Sequence, residues 1–223
     1  LLLSDHGQVD ESSLKAIEAV YGAESSERIL ELASHITKDQ RQLRLAILDL
    51  AMPSLRRLSK AERQQFFGLL RKLIHQDSHV SRFEYVLYCL IHKNLVGSGQ
   101  QSQKSITRFS KVESELQLLL SAVIHASGQT QETKEEVFQQ VFNGFSANQV
   151  KLLDEKFDAE AFHQALSKLR RLSPMLKKPL LNGLEEAIEQ DGVVKHQEIE
   201  ILRAIAECLD CPMPPIINVT QKK

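Results

Sequence analysis

The residues whose types and spacing point most directly to chemistry lie in 187–202, AIEQDGVVKHQEIEIL. If Asp191 is set at position five of a calcium-binding helix–loop–helix, Gly192, Val194 and Glu198 take the sharp-turn, inward apolar and bidentate carboxylate positions. Position one, however, is Ala187, position three Glu189 and position nine Lys195. Calcium takes about six to eight oxygens, and this loop offers too few. A related stretch, 73–87, LIHQDSHVSRFEYVL, repeats Asp77, Val80 and Glu84 but has Leu73 at the first position, His75 at the third and Ser78 at the glycine site. Asp191 and Glu198, then Asp77 and Glu84, are the metal candidates. The first reading of both stretches is a helix-to-helix corner. There Asp accepts backbone N–H groups and Glu suits the positive end of the next helix. A weak divalent-metal site is the second reading.

Other reactive types are sparse. Cys208 and Cys211 form a CxxC pair at the end of a helix, where the dipole does not activate a thiolate, and Cys89 with His92 is the one candidate for a second metal-binding pair. The eight histidines form no HExxH, and GxSxG, Walker and GxGxxG patterns are missing. No catalytic or cofactor-binding residue is assigned. The arginine pairs 56–57 and 170–171 read as helix ends, where cations suit the negative pole. After the last helix, LDCPMPPIINV, 209–219, combines three prolines with apolar residues and reads as a tail packed on its own domain.

The elements that must position these residues are helical. Apolar residues recur at three- and four-residue steps, as in Phe66, Phe67, Leu70, Leu73 and Ile74, and nothing alternates with period two. Ser59/Glu62, Ser81/Glu84, Ser110/Glu113, Thr133/Glu136 and Ser146/Gln149 have capping-box spacing. The pattern predicts about eleven helices, near 11–21, 25–36, 39–57, 60–76, 82–96, 110–126, 134–144, 147–155, 159–172, 174–190 and 196–209, with a kink or break at Pro53 and Pro179. The run LRRLS occurs at 55–59 and again at 169–173, and the ungapped stretches 55–87 and 169–201 share identities at eleven positions. About two are expected by chance, so a helix–corner–helix unit is duplicated. The reading is an all-α fold in two related lobes, 1–96 and 110–217, joined by the Gly/Ser/Gln-rich connector 97–109 and followed by a tail, 218–223.

A net charge of −1 gives no general attraction for nucleic acid or anionic lipid, and no apolar run approaches a membrane span. Three cysteines suit a reducing compartment rather than a disulfide framework. The opening Leu1-Leu2-Leu3, without Met, reads as the start of a segment cut from a longer protein.

Four runs carry a family resemblance: LAILDLAMPSLRRLSKAERQQFFGLLRKLI, 45–74; FEYVLYCLIHKNL, 83–95; RRLSPMLKKPLLNGL, 170–184; and ILRAIAECLDCPMPP, 201–215. They resemble the C-terminal helical region of bacterial HtpX-like membrane zinc metallopeptidases of the CAAX-prenyl-protease type. CLDCPMPP, 208–215, and LDLAMPSLRRLS, 48–59, are the most specific pieces. The resemblance implies a non-catalytic accessory domain, regulatory or for protein interaction. Its partners would be the parent's own protease and membrane domains, protein substrates or adaptors, or a second copy. Zinc would sit in a preceding peptidase domain, and this domain would be cytoplasmic, tethered to the inner membrane through the parent. The Asp–Glu corners separately resemble TerB-like domains, which implies a divalent-metal-binding stress-response module through Asp191 and Glu198, with Asp77 and Glu84 after them. A free-standing helical scaffold is the third reading.

Overall fold

The computed structural model describes residues 11–35, 44–76, 82–96, 104–126, 130–154, 158–190 and 196–211. These residues form ten α-helices and no strand. Chain contacts divide the protein into two units, Leu1–Gly97 and Ser98–Lys223.

Lobe one holds α1 (Glu11–Tyr21), α2 (Ala23–Ser34), α3 (Arg44–Arg56), α4 (Lys60–Gln76) and α5 (Arg82–Val96). Gly22, at φ +84°, allows the sharp step from α1 into α2. Helix α1 packs on α2 and α4, and α5 packs on α3 and α4. Ala16, Ile17 and Leu69 form one buried cluster with Val20, Ile29 and Leu73 against it. Residues 83–91 of α5 are buried on every face, so α5 is the central helix of the lobe. Phe67 meets Tyr88 edge-on, with ring centroids 5.8 Å apart.

Lobe two holds α6 (Glu113–Ala126), α7 (Gln131–Phe142), α8 (Ala159–Leu169), α9 (Pro174–Glu189) and α10 (His196–Cys208). The packing scheme of lobe one recurs: α6 on α7 and α9, and α10 on α8 and α9. Lobe two adds contacts of α6 with α8 and α10 and of α7 with α9. Leu119, Ile124, Phe138, Phe142, Phe162, Leu169, Leu184 and Ile205 are fully buried there. Gly183 makes room for Phe145: a Cβ at that position would lie 2.5 Å from the Phe145 ring. The equivalent position in lobe one is Leu69, which is buried.

Several expectations are corrected. The Ser59/Glu62 capping box forms, with Ser59 N–H donating to Glu62 Oε2 at 2.7 Å and Glu62 N–H to Ser59 Oγ at 3.3 Å. Helix α7 instead starts at Gln131, because the Thr130 side chain accepts from Thr133 N–H. Residues 109–111 are a short 3-10 turn, and Glu113 turns away from Ser110 to accept from Ser146 Oγ and Asn148 Nδ2. The proline-containing helices α3 and α9 run on without a break. The residues four back, Asp49 and Met175, lie on exposed faces, so the carbonyl that proline leaves without a donor is open to solvent. The Ser81/Glu84 box and the tail lie outside the described residues, because Ser81 and 212–223 do.

The largest correction is the helix expected at 147–155. Residues 146–154 form an irregular strap along α6 and α7. Gln117 Nε2 donates to Lys151 O (2.8 Å), Gln139 Nε2 to Val150 O (2.7 Å) and His125 Nε2 to Leu153 O (2.7 Å). Leu153 N–H donates to Ser121 Oγ at 3.1 Å and Leu152 N–H to Glu135 Oε1 at 3.5 Å. Side chains of neighbouring helices thus meet the main-chain groups that a helical turn would have paired locally.

Two outcomes are expected. Gly183→Ala gains about 1 kcal/mol of helix propensity but overpacks against Phe145, for a net loss of about 1–2 kcal/mol in denaturant unfolding. The Ser146 hydroxyl, then the Asn148 amide, hold the Glu113 carboxyl below its ordinary value of 4.5. Its contribution is therefore complete above the ordinary carboxylate range and is lost as pH falls through the lowered value. Nuclear magnetic resonance of the Asn148 side-chain amide is expected to show it bound from pH 7 to about 5 and released in stronger acid, and Glu113→Gln is expected to abolish that step.

Candidate functional site

The duplicated corners are the part of the molecule in which charged and polar residues are most systematically placed. A shift of 114 residues carries α3, α4 and α5 onto α8, α9 and α10, and three backbone hydrogen bonds of the turn between the first two helices recur under it. Arg57 N–H donates to Ser54 O, Leu58 N–H to Leu55 O and Arg63 N–H to Ser59 O. At the shifted positions Arg171 donates to Lys168 O, Leu172 to Leu169 O and Lys177 to Ser173 O. LRRLS is therefore one turn geometry used twice.

The same shift relates two latches. Arg63 Nη1 donates to Leu95 O at 2.7 Å, and Lys177 Nζ donates to Leu209 O at 2.6 Å. Each cation lies in the first turn of its helix and holds a carbonyl at the end of the central helix, where the helix itself supplies no backbone donor. In lobe one the guanidinium fork also reaches Leu58 O (2.9 Å) and Arg56 O (2.7 Å), so one side chain ties the corner to the helix end. Lys177, a buried point charge, holds the helix end, and the corner is secured differently. Ile106 N–H donates to Arg171 O at 2.8 Å and Ser173 N–H to Ile106 O at 2.9 Å, forming an isolated parallel bridge between Ile106 and Leu172. Residues 104–106, placed in the connector by composition, thus belong to this corner.

The first arginine of each LRRLS also reaches the far helix end. Arg56 Nη2 meets Asn94 Oδ1 at 3.3 Å, and Arg170 Nε pairs with Asp210 Oδ2. Asp210 has φ +58° and ends α10 in a Schellman motif: Cys211 N–H donates to Ala206 O and Asp210 N–H to Glu207 O. A left-handed aspartate is uncommon, and here its side chain makes the ion pair that glycine could not. Cys208 is buried and Cys211 half-buried around this helix end, and no disulfide joins them. Cys89 is buried in α5, in the other lobe.

Of the metal candidates, Glu84 and Glu198 occupy equivalent positions in the first turns of α5 and α10, and both are buried, at 8% and 3% exposed. Asp77 and Asp191 lie outside the described residues. Each glutamate is thus in a different lobe, and among the described residues no three His, Cys, Asp or Glu side chains gather where they could hold a metal ion. Glu200, two residues on in the same helix, is also buried, at 5% exposed, but positions two apart on a helix face different directions.

The latch residues were not singled out by sequence, although the offset pairs them. Arg63 and Lys177 share charge, not identity, and Leu95 and Leu209 lie beyond the 33-residue comparison. No protein-family model, curated protein or solved structure matches the chain.

Lys177→Met leaves the buried Leu209 carbonyl without its donor and is expected to cost about 1.5–3 kcal/mol. Arg63→Met removes three carbonyl contacts and is expected to cost at least as much. Hydrogen exchange should show protection lost first in α9–α10 for Lys177→Met and in α4–α5 for Arg63→Met.

Proposed function

We propose that the chain is a non-catalytic accessory domain, serving regulation or protein interaction, of a membrane-bound zinc metallopeptidase. One observation carries the interaction part: five polar or cationic side chains that hold the helices and the strap together do so through main-chain groups. Arg63 and Lys177 hold helix ends, and Gln117, His125 and Gln139 hold the strap. Side chains fixed in this way build rigid surfaces and are not poised for proton or group transfer. The peptidase setting is supported by the sequence runs 45–74, 83–95, 170–184 and 201–215. In this reading zinc and the catalytic residues belong to a preceding peptidase domain. This domain lies in the cytoplasm beside the inner membrane, and no helix among the described residues is long and apolar enough to cross it. Its partners are the parent's own domains, protein substrates or adaptors, or a second copy.

The equivalent burial of Glu84 and Glu198 favours a second reading, a TerB-like divalent-metal module built on the two corners with Asp77 and Asp191. Titration calorimetry with calcium, magnesium, manganese and zinc separates the two. The accessory reading expects affinities weaker than about millimolar, near −4 kcal/mol, and tighter binding abolished by Glu198→Gln would establish the metal module instead. Incubation of the chain with unfolded protein is expected to yield no cleavage, whereas chelator-sensitive hydrolysis would overturn a non-catalytic role.

A further inference from the structure

The strap is held in an unusual way. Glu113, Gln117, Ser121 and His125 recur every fourth residue along one face of α6, and all four bond to it. Glu135 and Gln139, one turn apart on α7, form a second rail. Contacts advance in the same direction along the strap and α6, from Ser146 at Glu113 to Leu153 at Ser121 and His125, and in the opposite direction along α7. Twelve helical steps span about 18 Å. Seven residues reach at most about 23–25 Å, so the strap covers this span at roughly three-quarters of its full reach.

What the rails address is mainly main chain. The carbonyls of Val150, Lys151 and Leu153 and the N–H groups of Leu152 and Leu153 are all met. Gln149, Lys151, Leu153 and Asp154 are exposed, while Val150 and Leu152 are half-buried. A groove with these properties accepts extended polypeptide with little regard to sequence, preferring apolar residues at two alternate positions. The strap has no fully buried side chain, and the hydrogen bonds to its main chain are ones that another extended chain can make in its place.

We propose that the groove between α6 and α7 is a binding site for an extended polypeptide segment of a partner protein, and that residues 146–154 are its built-in occupant, displaced when the partner segment enters. The proposal rests on the reading of the chain as an interaction domain and names the surface and the kind of ligand.

The test uses the full chain and a fluorescent peptide of sequence NQVKLLD, residues 148–154. Leu153→Pro removes the N–H that Ser121 accepts and empties no core position. It is expected to raise peptide affinity at least tenfold over the unaltered chain. Adding Gln117→Ala and Gln139→Ala on that background should lower it at least tenfold. A scrambled peptide that keeps the two alternate apolar residues should bind within a few fold, and one N-methylated at its two leucines should not bind. Equal affinity for the unaltered and Leu153→Pro chains, or indifference to the glutamine substitutions, would refute the site. Should Leu153→Pro unfold, hydrogen exchange on the unaltered chain decides: saturating peptide should accelerate exchange at Leu153 at least tenfold, and unchanged exchange would refute the proposal. These results are independent of the metal and hydrolysis assays. A failed groove would leave an interaction domain acting through another face, whereas hydrolytic activity would remove that reading whether or not the peptide binds.

Discussion

The carbonyls at the end of a buried helix need donors, and in both lobes a cation from the preceding helix supplies one. Arg63 reaches Leu95 O and Lys177 reaches Leu209 O. Because each cation sits at the start of one helix and its acceptor at the end of the next, the contact closes a helical hairpin at its open end. The other end, where Glu84 and Glu198 open the next helices, lies about 25 Å away along a helix of sixteen or seventeen residues. Placement of α5 and α10 therefore depends on a contact remote from the residues that first suggested metal chemistry. The central helices, buried nearly all round, in turn organise what packs on them.

The two lobes keep one scheme and fill it differently. Lobe one uses a guanidinium fork for corner and helix end together, whereas lobe two divides these tasks between Lys177 and the bridge from Ile106. Where lobe one buries Leu69, lobe two has Gly183 and inserts Phe145, whose ring meets Phe109 at 5.2 Å. Glu115 and Lys168, 2.8 Å apart, join α6 to α8. These replacements conserve backbone geometry while changing which side chains enforce it.

Much of the helical fold was legible because apolar spacing of three and four is local information. The Ser59/Glu62 cap was legible for the same reason. The duplication was visible in LRRLS and in the shared Asp, Val and Glu of the acidic turns. The strap was misread as a helix: Ser146/Gln149 has the spacing of a cap, and the competing partners on α6 and α7 are distant in sequence. A signal for it did exist, since Glu113, Gln117, Ser121 and His125 form a polar stripe at helical spacing on a helix otherwise almost wholly apolar. The latches escaped notice because Arg and Lys are not identical letters, though either can donate to a carbonyl. Glu84 and Glu198 were legible as first-turn residues of their helices, but carboxylate type alone does not reveal whether oxygens converge.

The bridge between Ile106 and Leu172 bears on the order in which the chain can assemble. Lobe one's corner is tied by Arg63 to residues a few positions upstream, so it can form as soon as that segment leaves the ribosome. Lobe two's corner must wait for residues sixty-six positions apart to meet, as the Ser105–Arg171 contact also requires. A segment excised at the first residue of α6 would lack the strand-like half of that bridge. A segment that keeps lobe two's corner intact thus begins before its first helix, at residue 104, in what composition alone would label as spacer.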